Sequence, residues 1–199
     1  MSIPGVRRAV RSVNPYVGGK TVEEVRRDLG LERVVKLGSN ENPYGPYPAA
    51  LSAMREALER VNSYPEATFV DLKQTIARAR GVEAENIAIA HGAGGMLETL
   101  ARTFIEEGDE VLLPRQTYGL YREISRLMGA TLREFNLNEE YLIDLTGAME
   151  VITPRTKLFW LCNPNNPTGT VCDRSRFREL LEAMPENGWV VLDEAYAEF

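Results

Sequence analysis

From about residue 86 to the end, the chain alternates short apolar runs with amphipathic stretches, and this alternation constrains the fold more than any other feature. Residues 87–90, 110–113, 131–137, 157–162 and 189–192 have strand length and composition. Residues 92–104, 118–128, a short segment after Asp144, and 177–184 place apolar side chains at helical spacing. Strands separated by helices cannot be joined by tight hairpins. The pattern therefore predicts an α/β fold of three layers, a mostly parallel sheet with helices on both faces. In such sheets ligands bind in the crevice outside the carboxyl ends of the strands.

The first ninety residues read differently. Thr21 and Glu24 form a capping box for a helix that Gly30 ends, and residues 34–37 are a short extended segment. Residues 38–48, rich in Gly, Pro and Asn, are a loop. A helix follows to about Val61, its inner face built from Leu51, Met54, Leu58 and Val61, until Tyr64-Pro65 breaks it. Thr68 is placed to cap a third helix that buries Phe69, Leu72 and Ile76 and ends at Gly81.

Composition removes several function classes. With 44% apolar and 26% charged residues the chain is ordinary globular material. A net charge of -6 lacks the clustered basic surface that nucleic acid requires, and Arg7, Arg8 and Arg11 read as a solvated arm. No apolar run has membrane-spanning length and the start lacks a secretory core, so a cytoplasmic location is expected. Cys162 and Cys172 do not have metal-ligand spacing, and His91 is the sole histidine. A Cys/His zinc site is excluded, and both thiols are read as reduced.

The chemistry concentrates after the apolar runs. Gly92-Ala93-Gly94-Gly95 joins one run to a helix, an arrangement that offers backbone N–H groups and a helix dipole to an anion; a structural tight turn is the competing reading. His91, just before it, receives no role. Asp193 ends an apolar run, where a carboxylate needs a cationic partner: an arginine, or the protonated ring nitrogen of a bound heterocycle. Asn166 and Tyr196 supply an amide and a phenol for a ring oxygen. A carboxylate on a pyridinium with donors on a phenolate is how a protein tunes pyridoxal 5'-phosphate as an electron sink.

Five segments in order, KLGSNENPYGP, NSYPE, PRQTYGLY, LCNPNNPTGTV and VVLDEAYAEF, resemble the pyridoxal-phosphate-dependent aminotransferases of fold type I (class II family), and most closely their histidinol-phosphate branch. The resemblance runs from Pro15 to Phe199, which makes the chain similar to an N-terminal portion of such an enzyme. It implies an arm and small-domain segment over 1–45 and a cofactor-binding major domain, incomplete at its carboxyl end, over 46–199. By the same resemblance Ala93 and Gly94 donate N–H groups to the cofactor phosphate, and Tyr118 stacks on the ring. Asn166 and Tyr196 hold the ring oxygen, and Asp193 pairs with the ring nitrogen. Tyr64 reaches the phosphate of a neighbouring subunit and Tyr16 closes the substrate pocket, so a homodimer with shared sites is implied. Asn40 lies in the loop near the substrate carboxylate.

Two departures accompany the resemblance. The family turn carries a glutamate where this chain has Gly95, and the pair Gly94-Gly95 costs helix propensity of about 1 kcal/mol per residue relative to alanine. No lysine follows DEAY: the four lysines are Lys20, Lys36, Lys73 and Lys157, so the Schiff-base lysine that would move the proton is expected to be absent, and with it any catalytic residue in the chain. The intact enzyme is expected to exchange an amino group between L-histidinol phosphate and 2-oxoglutarate. The alternatives are an aromatic amino acid aminotransferase, a phosphothreonine decarboxylase, or a non-catalytic module that binds a phosphorylated ligand.

Overall fold

The computed structural model describes residues 5–14 and 18–199. A four-stranded sheet, β1 (Glu110–Pro114), β2 (Thr131–Phe135), β3 (Thr156–Cys162) and β4 (Trp189–Asp193), is ordered β2-β1-β3-β4 with every neighbour parallel. Seven α-helices lie among the described residues: α1 (Val22–Leu29), α2 (Pro48–Ala57), α3 (Val70–Arg80), α4 (Gly92–Phe104), α5 (Gly119–Met128), α6 (Leu145–Glu150) and α7 (Arg174–Ala183). Helices α5, α6 and α7 are the crossovers that parallel pairing demands.

Side chains alternate across a strand, so each central strand feeds two layers. Val111, Leu113, Leu158, Trp160 and Cys162 turn to one face, against Leu97 and Ala101 of α4 and Tyr121 and Ile124 of α5. Leu112, Phe159 and Leu161 turn to the other, against Leu145 and Ala148 of α6 and Leu180 of α7. The three-layer expectation therefore holds in this part of the chain. Each fully buried Leu or Phe contributes about 2 kcal/mol, which makes the β1–β3 pair the anchor of the fold. Polar groups inside it are satisfied: Trp160 Nε1 donates to Ser125 Oγ at 2.9 Å, and Ser125 Oγ donates to the Tyr121 carbonyl at 2.7 Å.

Helix ends follow local chemistry. Thr21 and Glu24 form the expected capping box, and Gly30 and Gly81 close α1 and α3 in the left-handed region. Asp144 and Asp173 accept from the first turns of α6 and α7. Cys162 and Cys172 are both free thiols.

The described residues form two compact units, one of residues 5–14 with 90–199 and the other of residues 18–89. The first holds the whole sheet. In the second, α1, α2 and α3 contribute little to any core, and Ala77 is the one buried side chain of these helices.

Several expectations are corrected. Residues 87–90 form no strand, because none of the described strands pairs with them and an apolar run without a ladder stays irregular. The sheet accordingly has four strands rather than five. The ladder of β2 stops at Phe135, and Leu137 instead makes an isolated antiparallel bridge to Ile143. Thr68 does not cap α3: its hydroxyl turns to Glu66, whose carboxylate accepts from Val70 N at 3.3 Å. Met54, Leu58, Val61, Phe69 and Leu72 are exposed rather than inward.

Candidate functional site

All four strands run the same way, so Pro114, Phe135, Cys162 and Asp193 end at one edge of the sheet. The loop leaving β3 at this edge is tied down from within. Asn165 is buried, accepting from Thr117 Oγ1 at 2.9 Å and donating through Nδ2 to the Gln116 carbonyl at 3.0 Å and Thr168 Oγ1 at 2.9 Å. Its backbone N–H donates to the Thr170 carbonyl and its carbonyl accepts from Gly169 N at 2.7 Å, a closure that places Gly169 at φ 68°. Asn163 N donates to the Asp193 carbonyl at 2.9 Å, which joins the loop to the end of β4. So held, Asn166 presents Nδ2 3.3 Å from the Tyr196 hydroxyl.

Asp193 pairs with Cys162 across the β3–β4 ladder. Its Oδ2 accepts from the Tyr121 hydroxyl at 2.6 Å and its Oδ1 from Ala195 N at 3.0 Å. Burial, reinforced by the bond to Asp193, pushes the Tyr121 phenol well above its ordinary range, so it remains a neutral donor. Burial likewise raises the Cys162 thiol. Among the described residues no lysine, arginine or histidine forms an ion pair with Asp193, so the arginine partner considered from the sequence does not occur there. Lys157 lies at the other end of β3, five residues and roughly 16 Å from Cys162.

Helix α4 begins at the glycine-rich segment itself. Gly92 takes φ +67°, which a side chain would resist, and the first-turn N–H groups of Ala93, Gly94 and Gly95 have no partner within the helix. A Cβ added to Gly94 would lie 3.7 Å from Leu120 Cδ2, so this end of α4 adjoins the start of α5 at the carboxyl edge of the sheet. Tyr118 immediately precedes α5, packs against the core, and meets Tyr121 edge-on with ring centroids 5.5 Å apart.

The structure thus gathers Ala93, Gly94, Tyr118, Asn166, Asp193 and Tyr196 on elements that share one edge. Tyr64 and Asn40 belong to the 16–89 unit, where Tyr64 is fully exposed and Asn40 has φ 52°. Tyr16 lies outside the described residues. Two residues that sequence reasoning passed over matter to this geometry. Tyr121 stands three positions after Tyr118, in the first turn of the helix that Tyr118 opens, and that spacing was a readable signal. Asn165 carried none: its neighbour Asn166 has the same chemistry, and only the closed loop separates the inward amide from the outward one.

A parallel sheet with a tied loop, a charged carboxylate and an open helix start at its carboxyl edge defines a class as well as a geometry. The chain belongs to the aminotransferase class I and II family, whose model matches residues 32–199. Among curated relatives it is 40% identical over 198 residues to histidinol-phosphate aminotransferase of Moorella thermoacetica, covering 100% of this chain and 51% of that protein. It is 42% identical over 194 residues to histidinol-phosphate aminotransferase 2 of Carboxydothermus hydrogenoformans, covering 98% and 53%. Histidinol-phosphate aminotransferase from Sinorhizobium meliloti, solved in complex with pyridoxal-5'-phosphate, superposes with a TM-score of 0.87 at 30% identity over 99% of this chain and 52% of that one. The chain therefore spans about half the length of the relatives it matches. No helix among the described residues is long and apolar enough to cross a membrane.

Proposed function

We propose that the chain is the cofactor-holding portion of a histidinol-phosphate aminotransferase that uses pyridoxal 5'-phosphate to exchange an amino group between L-histidinol phosphate and 2-oxoglutarate. The observation that carries this reading is Asp193: a charged carboxylate held by a neutral phenol at the end of a strand, with Asn166 and Tyr196 on the adjoining loops. A carboxylate so placed matches a cation brought by a ligand, and the residues around it fit a protonated pyridine ring. Bound there, pyridoxal phosphate supplies an electron sink for the pair released when a substrate α-proton leaves.

The chain's own residues would bind and orient. Asp193 keeps the ring nitrogen protonated, because its negative charge is uncancelled by any protein cation among the described residues. Asn166 and Tyr196 fix the ring oxygen and so the ring's rotation. The N–H groups of Ala93 and Gly94 receive the phosphate at the positive end of α4, and their backbone donors do not depend on a side chain at Gly94 or Gly95. Tyr118 offers a flat face to the ring. Lys157 stands at the far end of β3 and is given no part in the proton transfer. Tyr64, Tyr16 and Asn40 complete the reading, with Tyr64 reaching the phosphate of a second copy in a homodimer and the other two serving the substrate side.

Titration of the chain with pyridoxal phosphate, followed by absorbance, tests the reading. Saturable uptake of one cofactor per chain, with pyridoxal lacking its phosphate bound at least tenfold more weakly, is expected. Absence of saturable uptake, or equal affinity for the two, would sink it.

A further inference from the structure

We infer that Tyr121 is a positioning residue for Asp193: its hydroxyl fixes the carboxylate in the orientation in which it meets the cofactor's ring nitrogen. This rests on the reading above that Asp193 serves that nitrogen. The hydroxyl donates to Asp193 Oδ2 at 2.6 Å, the length of a strong bond to an anion, while Ala195 N holds Oδ1 at 3.0 Å. A carboxylate has about four acceptor sites, so two bonds orient it and leave room for a third donor.

The phenol itself is rigidly placed. Its ring is fully buried and stacks on Trp160 at 5.4 Å with planes 7° apart. Trp160 is anchored by Nε1 to Ser125 Oγ, and Ser125 is anchored to the Tyr121 carbonyl one helical turn back. Tyr118 closes the other side edge-on. A tyrosine differs from an arginine here in one decisive respect: it orients the carboxylate without neutralising it. Burial keeps the phenol protonated, and the neighbouring Cys162 thiol is held neutral by the same burial. The charge on Asp193 is therefore reserved for the ligand. Tyr121 touches neither substrate nor cofactor in this account; it acts through Asp193.

Tyr121→Phe removes the hydroxyl and keeps the stacked ring. Crystal structures of the ligand-free wild-type and Tyr121→Phe chains should show the Asp193 carboxylate turned from its original rotamer in the variant. Pyridoxal phosphate labelled with 15N in its ring should bind the variant about tenfold more weakly, and its nitrogen resonance should move toward the unprotonated position. Ile124→Val, a control for core packing on the same helix, should leave that resonance in place. An unmoved carboxylate, or an unmoved nitrogen resonance in a variant that binds, overturns the inference. Should Tyr121→Phe fail to fold, 3-fluorotyrosine at position 121 keeps the ring and alters the donor, and a resonance that does not respond overturns it equally. Failure of the wild-type chain to take up pyridoxal phosphate would overturn the proposed function instead, and the two ligand-free structures would still decide the role of Tyr121.

Discussion

Glu110 and Asp193 stand at opposite ends of one sheet, and the chain treats the two carboxylates in opposite ways. Glu110, at the start of β1, is fully buried and accepts from Arg133 at 2.7 Å, from Arg155 at 2.5 Å and from Thr153 Oγ1 at 2.6 Å. Arg133 above all, then Thr153 and Arg155, overcome the effect of burial and hold its carboxyl at about 2. Asp193, at the end of β4, is only partly buried and is held by a phenol and a backbone N–H. The closed cluster satisfies its charge internally and serves the fold. The open one, on the proposed reading, holds its charge for the ring nitrogen of the cofactor. At the amino end of β1 the carboxylate is thus closed in by arginines, whereas at the carboxyl end of β4 it is held by a phenol and a backbone N–H.

The contrast can be broken most severely at the closed end. Glu110→Ala strips two arginines of their shared partner and should cost about 3 kcal/mol in urea unfolding, discounted from the usual cost of a broken buried pair because both arginines reach solvent. Cofactor affinity of the folded variant should be unchanged. Next in size, Asp193→Asn should weaken uptake of pyridoxal phosphate about a hundredfold while moving stability by less than about 1 kcal/mol. If the two variants exchanged these effects, the division of labour would be wrong.

Acid sharpens the same comparison. The carboxyl of Glu110 is depressed from 4.5 to about 2 on folding. Its contribution to stability is therefore complete above pH 4.5 and is lost as pH falls through the interval to about 2. Urea midpoints of the wild type should fall across that interval more steeply than those of Glu110→Gln. The smallest effect belongs to the helix start. Gly94→Ala should raise stability by about 0.5 kcal/mol, since its Cβ meets Leu120 at an ordinary 3.7 Å, and should leave phosphate affinity intact because the N–H remains.

Legibility in the sequence followed the same division. The apolar runs that became β1, β3 and β4 were readable because burial on both faces demands continuous hydrophobic residues, and residues 157–162 show it plainly. Residues 87–90 carry the same pattern yet form no strand: pairing is a property of neighbours, and composition does not name them. The face of Met54, Leu58 and Val61 has the period of a buried helix and is exposed for the same reason. At the site, Asn166, Asp193 and Tyr196 were legible because strand-end polar residues after apolar runs stand out. The tie from Tyr121 to Asp193 spans seventy-two residues and depends on one side chain of α5 reaching Trp160 of β3 and the end of β4, which local pattern does not encode.

A crystal structure of the 199-residue chain grown with pyridoxal phosphate tests the central claim most directly. The ring nitrogen is expected within hydrogen-bond distance of the Asp193 carboxylate, the phosphate on the backbone N–H groups of Ala93 and Gly94, and Glu110 unchanged between its arginines. A cofactor bound elsewhere, such as on Lys157 at the amino end of the sheet, or one whose ring nitrogen faces away from Asp193, would contradict it.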